Sequence, residues 1–574
     1  MSGPSQREVP MEFRALADEF LADYFRLDPV HATEMGHHQD DGLWPDLTDA
    51  GREARLAFAE GALERLRAID PAGLSHDDAI DHRILVGAAE AMRFSEGTLQ
   101  EDRWNPLVFV YLFGNGLFLV LSRPFAPLPD RLRSAASRLR GLPAAIDAAR
   151  AALSSPGARR VSQFHTEKAI ERLSGVNSLA DALVAEAAKI DDAEVQAALE
   201  GELEAAASEA KAALDAFGTW LRDELLPNAT GDFRLGSQLY RDKFRHALRV
   251  EMEPSELRER AVGAFEAVRS EMQRLARELW PAWRGSEPMP DYPDAMIRAV
   301  LDAIAAEHPA ADELLDFCRA ENARIEAFCR DTGLIGLADE PLEIMWTPEF
   351  LRSFGGAMLI PPGPLDRGLS SFFAITPMPN DWTDVQRQSF LREDNSRMLR
   401  LLTIHEAVPG HYLQLAYSNR CPSLVRAIFQ SGVFAEGWAV YVTQVMMDVG
   451  YGAEDPALML VHWKFYLRAI TNTMMDIAIH TGSMEREEAM KLMVEQGFQE
   501  ESEASNKWDR ARLSSTQLCE YFLGYTEMSD FEREARHRAQ AAGDSFHWRP
   551  FLEAVLAHGT PPTPVIRDIL FGGA

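Results

Sequence analysis

The segment that most constrains this chain covers residues 403–414 and reads Thr-Ile-His-Glu-Ala-Val-Pro-Gly-His-Tyr-Leu-Gln. It places His405, Glu406 and His411 within seven residues, and Glu436 follows 25 residues after His411. A catalytic zinc site needs three protein ligands, an open position for water and a base that takes the water's proton. Two histidines and two glutamates in this pattern supply all of these groups. The segment therefore predicts a metal centre.

The spacing of the two histidines predicts a distorted helix. In the usual zinc-protease signature they are four positions apart, which leaves them about 40° apart around the helix axis. Here they are six positions apart, and a regular helix would place them about 240° apart. Pro409 and Gly410 lie between them, where a proline breaks the hydrogen-bond ladder and a glycine accepts unusual dihedral angles. We expect a bulge or kink that brings His411 beside His405. The alternative is a helix that ends at Val408, with the histidines as cap and packing residues.

The pattern His-Glu-x-x-Pro-Gly-His, followed by Glu-Gly-Trp-Ala at 436–439, resembles the bacterial family called domain of unknown function 885. The similarity extends over most of the chain, through residues 28–37 near the start and a set of later positions: Arg468, Asp476, His480, Arg510, Gln517, Tyr521 and Gly524. That family is grouped with the gluzincin metallopeptidases, whose zinc ligands are two histidines and a later glutamate. The resemblance implies that zinc is bound by His405, His411 and Glu436, with Glu406 as general base.

Three further residues are candidates for the chemistry at this centre. Attack on an amide creates an oxyanion, and a neutral donor that stabilises it contributes about 3 kcal/mol. Tyr521 and His480 are the candidates for that donor. Asp476 is four residues before His480 and would share its helix face. It is predicted to orient a zinc-bound histidine, although Asp476 and His480 could instead form a hydrogen-bonded pair in the core.

Two residues near the end of the motif region are candidates for substrate binding. Arg510 and Gln517 are seven residues apart, close to one helix face. A guanidinium group suits planar pairing with a carboxylate, so Arg510 is predicted to bind a substrate carboxylate. The alternative is that Arg510 pairs with Glu501 or Glu503.

A short β-sheet is predicted just before the motif. Residues 342–346, 356–360 and 371–376 are apolar runs separated by prolines and glycines, which is typical of strands. In a gluzincin architecture an edge strand lies along the cleft and pairs with an extended substrate. We predict that 370–376 is this strand, with Phe373 and Ala374 against the substrate; the alternative is an internal strand without ligand contact.

Composition limits the classes of partner. The chain has 58 basic and 89 acidic residues, a net charge of −31. Broad nucleic-acid or anionic-membrane surfaces need positive charge, so neither partner is expected. The four cysteines form no CxxC motif, and the N-terminus has no apolar signal region. These observations favour a cytoplasmic protein, and they leave open whether it forms a homodimer.

The fold expected from these patterns is mainly α with a small sheet, an α+β class. A zincin-like catalytic core, 336–574, would be enclosed by a helical N-terminal region, 1–335, in one interwoven unit. The expected function is zinc-dependent hydrolysis of amide bonds, most simply by a peptidase acting on short peptides. The alternatives are an amidohydrolase that removes an acyl or aminoacyl group from a small metabolite, and a non-catalytic binding protein on the same fold.

Overall fold

The computed structural model describes residues 8–572 apart from 156, 348–356, 380–381 and 483. The helices before the sheet are α1 Glu8–Leu27, α2 Pro29–Glu34, α3 Asp49–Arg67, α4 His76–Phe94, α5 Leu107–Ser122, α6 Leu128–Ser154, α7 Gln163–Glu186, α8 Ala193–Trp220, α9 Ser237–Leu248, α10 Pro254–Arg284, α11 Pro293–Ala305 and α12 Leu314–Thr332. The strands are β1 Leu342–Trp346, β2 Ala357–Ile360 and β3 Ser371–Ile375. The remaining helices are α13 Asp384–Glu393, α14 Ser396–Glu406, α15 His411–Asn419, α16 Leu424–Ile428, α17 Gly432–Asp448, α18 Pro456–Thr481, α19 Arg486–Met490, α20 Glu501–Leu513, α21 Glu520–Ala542, α22 Trp548–Leu556 and α23 Thr563–Phe571. The prediction of a mainly helical protein with a small sheet is confirmed.

The predicted strands are present, but their order corrects one prediction. The sheet has the order β1-β3-β2, with β1 parallel and β2 antiparallel to β3. β3 is therefore the central strand, and Phe373 and Ala374 on it are fully buried. Among the described residues, the open edge nearest the motif belongs to β2. A strand with neighbours on both sides has no backbone groups left for a substrate, so the substrate contacts predicted for Phe373 and Ala374 are wrong. Gly356, predicted to begin the second strand, lies outside the described residues.

The hydrophobic core crosses the boundary predicted at residue 335. The largest cluster of buried side chains joins Phe244 and Met272, from the first part of the chain, to Trp438 and Phe522. A second cluster joins the N-terminal helices to α16 and α23. Helices α5–α8 have a core of their own, in which fully buried alanines allow close approach.

No single helix in the described part of the chain is long and apolar enough to cross a bilayer. Residues 76–103 and 107–122 reach that length and composition only as a pair, and this pair is bent by 101°.

Helices α17 and α21, which carry Glu436 and Tyr521, pack with their backbones in contact. A Cβ atom added to Gly437 would lie 2.3 Å from the Cα atom of Gly524, and one added to Gly524 would lie 2.0 Å from the carbonyl oxygen of Val433. Any larger residue at either position would push the two helices apart. This contact therefore sets the separation of two elements of the candidate site.

We predict that Gly437→Ala lowers the free energy of unfolding by about 1–3 kcal/mol, the usual cost of overpacking. Helix propensity alone would favour the alanine by about 1 kcal/mol. The matched control is Gly201→Ala on α8, where an added Cβ has no atom within 4 Å. That variant is expected to be as stable as the wild type or slightly more stable. Urea unfolding followed by circular dichroism measures both, and equal stability of the two variants would contradict the prediction.

Candidate metal centre

The segment between the two histidines breaks the helix in two. α14 ends at Glu406 and α15 begins at His411. The amide of Gly410 donates to the carbonyl of Ile404 at 3.0 Å, and a Cβ atom at Gly410 would lie 1.9 Å from the carbonyl oxygen of His405. Only glycine fits so close an approach. The chain thus turns sharply where the sequence predicts a bulge or kink.

This break brings three predicted ligands together. The Nε2 atoms of His405 and His411 lie 3.7 and 3.3 Å from the same carboxylate oxygen of Glu436. The two imidazole rings are 4.7 Å apart and nearly perpendicular. One donor atom from each of the three side chains lies within 4.8 Å of the others, so these residues could hold a metal ion.

The three side chains are electrostatically coupled. Burial favours the neutral form of Glu436, but His411 and His405 outweigh burial and hold the pKa of the carboxyl well below its usual range. Burial also opposes the charge on His411, yet Glu436 and Glu406 raise the pKa of this imidazole above its ordinary value. Nδ1 of His405 and Oε2 of Glu436 are buried and have no hydrogen-bond partner.

Glu406 lies beside His405 at the base of a cleft of about 780 Å³, where both residues are part of the lining. Its Oε2 atom accepts a hydrogen bond of 3.0 Å from the backbone amide of Leu359 on β2. The edge strand therefore fixes the orientation of this carboxylate.

Tyr521 and Arg510 line the same cleft, and they touch each other. Arg510 Nη2 donates to the hydroxyl of Tyr521 at 3.0 Å and to Oε1 of Gln517 at 2.9 Å. Burial and the charge of Glu436 raise the pKa of Tyr521 well above its ordinary value, so its hydroxyl keeps its proton at neutral pH. Gln517 is not part of the cleft lining. Its side chain contacts Arg510 and Glu520, which differs from the substrate contact predicted for it.

His480 and Asp476 do not join this centre, which corrects two predictions. The Nε2 atom of His480 lies 2.9 and 3.1 Å from the carbonyl oxygens of Ala511 and Ser514. Asp476 accepts hydrogen bonds from the hydroxyl of Tyr240 at 2.6 Å and from the amide of Thr516 at 3.0 Å. Both side chains are buried, and they tie α18 to α9, to the last turn of α20 and to the segment that follows it. They hold the helices that carry Arg510 and Tyr521, and neither contacts the predicted ligands.

The family model described as "Bacterial protein of unknown function (DUF885)" matches residues 29–570 of this chain. The chain belongs to this family. No curated protein matches it.

Two solved structures share the fold. A "putative lipoprotein of unknown function" from Shewanella oneidensis is 31% identical, with a TM-score of 0.83 over 97% of this chain and 99% of that one. A "putative lipoprotein" from Colwellia psychrerythraea is 17% identical, with a TM-score of 0.78 over 97% of this chain and 98% of that one. The Shewanella relative is described as a putative lipoprotein, and lipoproteins are membrane-anchored, so the prediction of a cytoplasmic protein is contradicted.

One wall of the cleft carries a network of charged side chains, and its members Glu393 and Lys507 were not predicted from the sequence. Glu393 accepts from Lys464 at 2.8 Å and from Arg468 at 3.3 Å. Arg468 also donates to Glu503 at 2.8 Å, and Lys507 lies 3.5 Å from the same oxygen. Periodicity offered a signal: Glu503, Lys507 and Arg510 are spaced by four and three residues, which places them on one helix face.

Within this network the pKa of Asp394 is raised. Burial and the neighbouring charge of Glu393 raise it from 3.8 to about 7. The native carboxyl therefore keeps its proton between pH 4 and 7, where the unfolded chain releases it. The contribution of this group to the free energy of unfolding is fully present below the pKa of the carboxyl in the unfolded chain. It is lost as the pH rises through the native pKa of about 7.

We predict that Asp394→Asn removes this loss, because an amide cannot ionise. The melting temperature of the variant minus that of the wild type should increase between about pH 5 and pH 8 and then stay constant. Thermal unfolding across that range measures the difference. A difference that is independent of pH would contradict the prediction.

Proposed function

We propose that the chain is a zinc-dependent hydrolase of amide bonds with a zincin-like core, acting as a peptidase on short peptides. The observation that carries this proposal is the convergence of His405, His411 and Glu436 beside the carboxylate of Glu406. Two imidazoles and one carboxylate, with a further carboxylate as base, are the residue set of a catalytic zinc site.

The residues present fit zinc. Tetrahedral ligands about 2.1 Å from zinc lie about 3.4 Å from one another, close to the 3.3 and 3.7 Å that separate the histidine nitrogens from Glu436. Buried polar atoms without a partner are costly. A cation would satisfy Oε2 of Glu436, which is such an atom.

When bound, zinc would polarise the substrate carbonyl and lower the pKa of a water molecule towards neutrality. Glu406 would take the proton of that water and pass it to the leaving amine. Its hydrogen bond from Leu359 holds one carboxylate oxygen in place and leaves the other to receive the proton. Tyr521, held neutral by burial and by Glu436, would donate a hydrogen bond to the oxyanion.

The edge of β2 at Ala357 would bind the substrate backbone, because the amide of Leu359 is already bonded to Glu406. The amide of Leu359 points away from β3, towards Glu406. Ala357, two residues earlier, lines the cleft and directs its backbone groups the same way. An extended peptide could pair with this edge. The volume of the cleft, about 780 Å³, lies within the range of small-molecule sites, which favours short substrates.

Metal content tests the ligand set. We expect about one zinc per chain in protein purified without a metal-affinity tag, and loss of that zinc in His411→Ala because one of three ligands is removed. The control is His480→Gln, which removes a buried histidine outside the centre and keeps an amide donor for the carbonyls of Ala511 and Ser514. Elemental analysis should find zinc in this control. A wild type that stays free of zinc after incubation with the metal would refute the proposed centre.

Two conservative variants separate chemistry from metal binding. Glu406→Gln should retain zinc and lose about 10²–10⁴-fold in kcat, because the base is gone. Tyr521→Phe should retain zinc and lose about 10²–10³-fold in kcat, the cost of one oxyanion donor. Turnover of a panel of di- and tripeptides and acyl amino acids measures both effects and separates a peptidase from an amidohydrolase. Wild-type turnover in Glu406→Gln would exclude this residue as the base.

A further inference from the structure

Residues of α18 and α20 form one wall of the cleft. Phe465, Arg468 and Asn472 on α18 line the cleft at helical spacing, and the Phe465 ring lies edge-on to His405 at 5.6 Å. Lys507 and Arg510 line it from α20. The wall therefore begins against a predicted metal ligand and continues into a group of cationic side chains.

Positive charge exceeds negative charge in this wall. The residues of α18 and α20 that line the cleft include three cations, Arg468, Lys507 and Arg510, and one carboxylate, Glu503. Arg468 also pairs with Glu393 of α13. Asp394 adds only part of a charge at neutral pH, because its pKa is about 7. The chain as a whole carries a net charge of −31. The wall on α18 and α20 thus has excess positive charge within an acidic protein, and this charge favours an anionic ligand beside it.

Lys507 has only one long ion pair. Its ammonium group has three donors, yet its ion-pair partner is a single oxygen of Glu503 at 3.5 Å, which Arg468 approaches more closely, at 2.8 Å. The side chain of Lys507 is 10% exposed. Burial lowers its pKa to about 8, with Arg468 and Arg510 adding to the effect against Glu503. A second anion at this point would relieve the excess of charge.

Asn472 provides an independent observation. It is 5% exposed, it lines the cleft one helical turn after Arg468, and its Oδ1 atom is buried without a hydrogen-bond partner. Unsatisfied buried polar atoms cost free energy unless a ligand or water completes them. The wall thus presents both a charge and a neutral polar group that lack full partners.

We infer that Arg468 and Lys507 form a subsite for a carboxylate of the substrate, with Asn472 binding a neighbouring polar group. Arg510, whose Nη2 donates to Tyr521 and Gln517, then serves to hold Tyr521 beside the metal centre. The carboxylate could be the C-terminus of a short peptide or an acidic side chain. Cleavage of the bound molecule rests on the proposed function. Binding of the carboxylate at this subsite does not.

Calorimetry on the Glu406→Gln variant tests binding without requiring turnover. The probes are acetyl-Ala-Ala as the free acid and as its amide, and acetyl-Glu-Ala-amide beside acetyl-Gln-Ala-amide. We expect at least one carboxylate probe to bind about tenfold or more tightly than its neutral partner. A preference in the first pair assigns the subsite to a C-terminal carboxylate, and one in the second pair to an acidic side chain. Equal binding within both pairs would overturn the inference.

Variants in the same background locate the effect. Lys507→Met should abolish the preference, Lys507→Arg should keep it, and Lys189→Met, at an exposed lysine following α7, should leave it unchanged. Far-ultraviolet circular dichroism establishes that each variant is folded. A folded Lys507→Met protein that keeps the full preference would overturn the inference. If Lys507→Met does not fold, Lys507→Arg decides, and loss of the preference in that variant would overturn the inference. Glu406→Gln could bind the carboxylate probes more tightly than the neutral ones while the wild type hydrolyses none of them. That result would refute the hydrolase proposal and support the subsite.

Discussion

A buried hydrogen bond connects α17, which carries Glu436, to the helix break between His405 and His411. The indole N–H of Trp438 donates to the carbonyl of Pro409 at 2.8 Å. Pro409 lies in the break between His405 and His411, and Trp438 is two residues after Glu436 on α17. The indole is completely buried, where a hydrogen bond has no competition from water. This hydrogen bond therefore fixes the rotation of α17 about its axis relative to the backbone of the helix break.

The surrounding packing extends this constraint outwards. Gly437, next to Trp438, lets α17 approach α21 until their backbones touch, which places Tyr521 beside the centre. The amide of Leu359 fixes Glu406 from the opposite side. Each of these contacts uses backbone groups or a missing Cβ atom, so each tolerates little change. The proposed base, ligands and oxyanion donor are thereby held before any substrate arrives, as pre-organised catalysis requires.

Much of the fold and the centre could be predicted from the sequence, and the failures have physical causes. Local patterns located the three strands and showed that His405 and His411 need a distorted helix. They could not decide that β3 is central, because the order of strands depends on distant pairing. His480 is a candidate donor by its residue type and family position, and neither of these reveals its partners. Its hydrogen bonds go to carbonyls more than 30 residues away, and helical spacing contains no information about such contacts.

The sequence by itself determined the residue types of the centre, the position of the helix break and the helical character of the chain, because these follow from neighbouring residues and local backbone chemistry. The tertiary structure decided which strand borders the cleft, which titratable residues face it and where positive charge accumulates in an acidic protein. These depend on groups brought together from separate helices, such as Arg468 of α18 and Glu503 of α20. Burial then strengthens their interactions, and only the folded chain has a buried interior.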